Sequence, residues 1–211
     1  PTRHECEGEH AAYLACREKG HAWAYEEFNE LYQLVALPEE GPPVLHARYY
    51  VPTEEKSPFG GGYIRVTAYH KGEPACMMFF HWGAREDRVQ HLPKALSYAD
   101  YGRNRGLPFF HQLAEEKRLM LWEVPDYYHR WHELDVDVAA LYDKAHEEPG
   151  AFAALQADKL LVGLGVWCGM EPGSRGGAYF DDVQLTTNGG GRSTVNGRAL
   201  RITPRTFMPE Y

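Results

Sequence analysis

The sequence predicts a mainly β protein: an antiparallel sandwich of two sheets with a helical extension at its amino end. Over residues 44–185, short runs of β-branched and aromatic residues are separated by Gly and Pro clusters, the pattern of short strands joined by tight turns. Before residue 38 the composition is instead rich in Ala, Glu, Leu and Tyr, and Tyr25, Phe28, Tyr32 and Val35 recur at helical spacing with Glu26, Glu27 and Glu30 between them. At 211 residues and 44% hydrophobic content the chain forms one domain. A core of that size buries roughly 70% of the unfolded surface, so folding requires neither disulfides nor a metal.

In chain order, residues 9–35 read as two short helices or one kinked helix broken at Gly20. Pro38, Gly41, Pro42 and Pro43 end that zone, because proline removes a donor and biases its predecessor away from the helical region. The extension therefore covers residues 1–43 and the sandwich residues 44–187. Strands are expected at 44–51, 63–71, 75–82, 118–124, 128–138, 159–167 and 178–186, with a short helix within 138–155 and loops over 85–106. A Gly-rich connection at 188–191 leads to a last strand near 200–202 in a tail of residues 188–211.

Strand side chains alternate between faces, so parity sorts core from surface. In 128–138, His132, Leu134, Val136 and Val138 form the core set. His129, Trp131, Glu133, Asp135 and Asp137 form the outer set, which places an indole among charges. In 63–71, Ile64, Val66 and Ala68 oppose Arg65, Thr67 and Tyr69. Both faces of 75–82 are apolar, so something covers its outer face, either the amino-terminal segment or a ligand groove. If the strands 63–71 and 128–138 are neighbours, Arg65 and Tyr69 converge with Trp131, His129 and Glu133.

Charge and motifs exclude several classes. Thirty acidic against 22 basic side chains give a net charge of −8, which disfavours binding to phosphate backbones. Apolar runs fall short of the ~20 residues of a membrane span. Residues 1–9 are too polar for a signal peptide, which leaves open secretion after removal of one. The four cysteines, Cys6, Cys16, Cys76 and Cys168, contain no Cys-x-x-Cys, and the redox compartment stays open. Gly60, Gly61 and Gly62 precede a strand with no lysine at Walker spacing, and there is no Gly-x-Ser-x-Gly elbow.

The run Gly176, Gly177, Ala178, Tyr179, Phe180, Asp181, Asp182, Val183, Gln184, Leu185 resembles the closing strand of carbohydrate-binding modules with a jelly-roll sandwich of the galactose-binding type. The preceding order is similar to that family too: Trp131 with 134–138, an apolar strand over 160–167, then a Gly-rich turn. The resemblance spans residues 63–185 and implies a jelly-roll β-sandwich that binds a glycan. It also implies a structural Ca2+ at Asp181 or Asp182, although the Asn-x-x-Phe-Glu segment whose Glu shares that ion is not found here. Related jelly rolls include polysaccharide lyases, glycoside hydrolases and small-molecule cyclases.

Sugar recognition needs flat aromatic faces and planar polar groups, which Trp131, Trp122, Trp167, Tyr69, Arg65 and Glu133 supply. For Trp122 and Trp167 the alternative is burial in the core. An enzyme on the same scaffold would draw its acid and base from His81, His129, Tyr69 and Glu133, with His111 in reserve, since an imidazole titrates near neutrality. The expected partner is thus a carbohydrate or another small molecule. A third reading is an interaction protein whose exposed aromatics dock a partner. A flat aromatic platform would indicate a binder; a deep pocket with buried His, Tyr and carboxylate groups would indicate an enzyme.

Overall fold

A computed structural model describes residues 11–17, 27–37, 41–55, 60–83, 112–113, 116–124, 129–168 and 172–187. The described chain is mainly β. Its strands are β1 (Ala12–Arg17), β2 (Glu27–Ala36), β3 (Pro43–Tyr50), β4 (Gly60–His70), β5 (Glu73–Trp82), β6 (Leu119–Glu123), β7 (Trp131–Asp137), β8 (Lys159–Cys168) and β9 (Arg175–Thr187). A 3-10 turn covers Thr53–Glu55, and two helices, α1 (Val138–His146) and α2 (Ala151–Ala154), lie between β7 and β8.

The strands form a four-stranded sheet, β1-β9-β3-β7, and a five-stranded sheet, β2-β8-β4-β5-β6. Pairing is nested: β1 with β9, β2 with β8, β3 with β7 and β4 with β5, all antiparallel. Only the added β6 lies parallel to its neighbour, β5. The innermost pair turns at Lys71 and Gly72, both at positive φ, the geometry of a two-residue hairpin that follows the strand twist.

The core lies between the sheets. Leu45, Ala47 and Tyr49 of β3 point inward, as do Ile64, Val66 and Ala68 of β4 and Cys76, Met78, Phe80 and Trp82 of β5. Tyr49 stacks on Trp82 with ring centroids 4.5 Å apart. In β7 the expected parity holds. His132 is buried, Leu134 and Val136 pack partly against the core, and Glu133 and Asp135 are exposed. β7 is an edge strand, so its aliphatic side chains are covered from one side only. The strand begins at Trp131 rather than 128, and it ends where the Asp137 carboxylate accepts a hydrogen bond from Ala140 N–H and caps α1.

The helical extension expected over 9–35 is corrected. Ala12–Arg17 and Glu27–Ala36 are strands, each paired along its length with a strand from the far end of the chain. Side chains four apart share a face in a strand as well as in a helix, so Leu31 and Val35 satisfy both periods. Long-range ladder bonds to β8 then override the Ala- and Glu-rich composition. The loops expected at 85–106 and the tail at 188–211 lie outside the described residues, as does Cys6. Cys16, Cys76 and Cys168 are buried, and burial pushes the Cys76 thiol up to about 12. No helix among the described residues is long and apolar enough to cross a membrane.

Candidate functional site

The two sheets turn two outer faces away from the core, and the expected site residues other than Trp122 divide between them. Alternation in β3 sends His46, Arg48 and Tyr50 to the outer face of the four-stranded sheet, because Leu45, Ala47 and Tyr49 are inward. Register places Tyr50 opposite both Trp131 and Tyr179, and Tyr179 opposite Tyr13. One aromatic from each of the four strands therefore lies in a single row across the sheet. Successive ring centroids are 4.6 Å apart for Tyr13 and Tyr179, 6.1 Å for Tyr179 and Tyr50, and 5.6 Å for Tyr50 and Trp131. The Tyr13 end is open, with 43% of the residue exposed, whereas Tyr179 is tucked in at 9%.

Polar groups border this row. The Arg48 guanidinium lies 5.4 Å from the Trp131 ring centre, within cation–π range, and its Nε is 3.8 Å from Glu133 Oε1. His129 sits at a turn with φ of 63° and is not part of β7. Its ring approaches Thr53 Oγ1 on one side and lies 3.4 Å from the Tyr50 hydroxyl on the other. The expected His129–Glu133 pair is thus held by different partners, the imidazole by Tyr50 and Thr53 and the carboxylate by Arg48. At the far end the buried carboxylate of Glu55 accepts hydrogen bonds from Tyr13 and Arg17. It lies over Gly177, where a Cβ would collide with it. Burial first, and then the hydrogen bond to Glu55, push the Tyr13 phenol up to about 12.

The outer face of the five-stranded sheet gathers Arg65, Tyr69, His81 and Trp167. Its centre is an ion pair, Arg65 Nη2 to Glu30 Oε2 at 2.8 Å, seated over Gly163 and Gly165 of β8. Side chains at those positions would strike the Glu30 carboxylate and the Tyr63 ring respectively, so both glycines are needed for the close approach. Burial pushes the Glu30 carboxyl above its ordinary range, against the opposing pull of Arg65 and a hydrogen bond from Tyr63. Tyr63 faces His81 directly across β4 and β5. Tyr69 is half-buried and its phenol is raised by desolvation. Trp167 packs against the cluster of Tyr63, Met77, Phe79, Leu113 and Leu119, which covers the β5 side of this face.

Several expectations change. β4 and β7 belong to different sheets, so Arg65 and Tyr69 do not meet Trp131, His129 and Glu133 in one groove. Trp122 is partly buried against the core, stacked on Phe80 at 5.4 Å, and not on the outer face with Arg65 and Tyr69. Asp181 and Asp182 sit at an irregularity in the β3–β9 register, with Asp182 at a φ of 48°. The Asp181 carboxylate accepts from the Asp182 N–H at 2.9 Å, and that of Asp182 accepts from Gln184. Calcium takes six to eight oxygen ligands. Among the described residues no group of three or more His, Cys, Asp or Glu side chains converges.

The residues that sequence reasoning missed are Tyr13, Tyr50 and Arg48 on one face and Glu30 and Tyr63 on the other. Alternation over 43–50 carries the signal for Arg48 and Tyr50; the helical reading of 9–35 hid Tyr13 and Glu30. Compared with family models, with curated proteins and with solved structures, the chain finds no match.

Proposed function

We propose that this chain is a carbohydrate-binding jelly-roll sandwich whose platform is the outer face of the four-stranded sheet. The nested pairing supports the jelly-roll winding: with β6 set aside, the first strand pairs with the last, the second with the last but one, and so on inward. The observation that carries the function is the row Tyr13, Tyr179, Tyr50 and Trp131, one ring per strand. Aromatic faces complement the C–H surfaces of a pyranose, and polar handles at their rims take its hydroxyls. Four strands span about 14 Å between the outermost backbones, which suits a short oligosaccharide lying across the strands better than a single sugar. Arg48 and Glu133 lie in the next row as planar hydrogen-bonding groups.

The test is to replace Trp131 and Tyr50 singly by Ala and assay both variants on a glycan array. The expected outcome is at least a tenfold loss of affinity for the glycans that the parent protein binds through this face, with little loss of stability.

A further inference from the structure

The ion pair on the other outer face has a feature that its structural role does not account for. Glu30 Oε1 and Arg65 Nε are buried and have no hydrogen-bond partner among the described residues. Both stand against the same point, the side-chain position that Gly163 leaves empty. A buried acceptor and a buried donor are thus left unsatisfied side by side, while Glu30 Oε2 and Arg65 Nη2 bond each other and Tyr63 adds a hydrogen bond to the Glu30 carboxyl. Buried polar atoms normally find partners, and well-packed apolar residues stabilise a core position at least as well as a buried ion pair. Arg65 and Glu30 keep 13% and 20% of their side-chain surface exposed, on atoms other than the two unsatisfied ones, which face the Gly163 floor. Tyr32, which is 36% exposed, and the half-buried Tyr69 flank it.

We propose that the Glu30–Arg65 pair is a second ligand site, distinct from the aromatic row and independent of it, and that it takes a neutral polyhydroxylated ligand, a sugar or polyol. The chemistry of the two unsatisfied atoms selects the class. A hydroxyl both accepts and donates, so one hydroxyl takes the Arg65 Nε–H and gives its proton to Glu30 Oε1. An anion meets the Glu30 carboxylate and the net charge of −8, and a cation meets the Arg65 guanidinium. Tyr32 and Tyr69 offer ring edges and hydroxyls at the rim. Binding draws the pair off its glycine floor and satisfies both atoms. The two sites lie on opposite faces of the sandwich, so one chain holds two ligands.

The experiment uses the full chain carrying Trp131→Ala, which removes the other site. Its binding to cellohexaose, maltohexaose and xylohexaose is measured by calorimetry, with hexagalacturonate as the charged control. Binding of at least one neutral probe, with a shift of the Arg65 Nε–H resonance in NMR spectra, is the expected result. Adding Glu30→Met and Arg65→Met should weaken that binding at least tenfold while the melting temperature stays level or rises. Adding Glu30→Gln alone, which keeps shape and hydrogen bonding to Arg65, should weaken it several-fold and serves as the deciding variant if the double change unfolds the protein. Binding of only the charged probe, no binding of any probe, or affinity unchanged in the Glu30→Gln background overturns the proposal. Failure of the aromatic row would instead appear as parental affinity persisting in Trp131→Ala with the Arg65 resonance unmoved.

Discussion

Both outer faces of the sandwich carry Arg–Glu pairs, and the surroundings make Arg48–Glu133 and Arg65–Glu30 different objects. Arg48 and Glu133 are 3.8 Å apart, with 28% and 74% of their side chains exposed; Arg65 and Glu30 are 2.8 Å apart, with 13% and 20% exposed. Water screens the first pair, which therefore adds little to stability and leaves Arg48 able to lie over Trp131. The second is largely desolvated, so each partner depends on the other for its charge. Glycine sets the difference: Gly163 and Gly165 let the second pair sink to the backbone. Glu133, in contrast, extends from an edge strand into solvent; on its sheet it is Glu55, paired with Arg17 over Gly177, that is seated as Glu30 is.

The largest expected effect follows from that contrast. Arg65→Ala leaves the Glu30 carboxylate buried without its cation and should cost about 3 kcal/mol in urea unfolding, whereas Arg48→Ala should cost under ~1 kcal/mol. Equal losses would break the comparison. Next in size, Gly163→Ala and Gly165→Ala should each destabilise by roughly 1–3 kcal/mol, since the added methyl meets Glu30 and Tyr63. Gly72→Ala is a poor control because of its positive φ.

The pH dependence sharpens the same point. Glu30 has its folded pKa raised above the ordinary carboxylate value. Its proton-linked stabilisation is therefore fully present below the unfolded value of ~4.3 and is lost as pH rises through the folded pKa. Glu30→Gln should remove that slope from the stability profile. In Arg65→Ala the loss should shrink as pH is lowered, because a protonated Glu30 no longer needs a cation. The smallest effect belongs to Trp131, whose half-exposed ring should cost no more than about 1 kcal/mol when truncated to Ala; Trp82→Ala, which empties a site in the sealed core, should cost ~3–5 kcal/mol.

Much of this arrangement was legible in the sequence where a single period was present. Parity in β7 put His132 inward and Glu133 and Asp135 outward, and parity in β4 separated Ile64, Val66 and Ala68 from Arg65. Legibility failed where two periods agree. Leu31 and Val35 fit a helix and a strand equally, and only the partner strand β8, more than a hundred residues away, decides between them. Which strands lie side by side was likewise not written locally. Trp131 and Arg65 look alike as outward residues on polar faces, yet the nested pairing sends β7 and β4 to different sheets. The row of four aromatics depends on the registers of three strand pairs, so no one segment announces it.

The aromatic row as a sugar platform is put to the test by glycan binding and urea unfolding of the parent protein and Trp131→Ala, side by side. The expected result is at least a tenfold loss of affinity for a glycan that the parent binds, with stability within about 1 kcal/mol of the parent. A parent that binds no glycan, a variant that binds every glycan as the parent does, or a stability loss of ~3–5 kcal/mol typical of a core indole would contradict it.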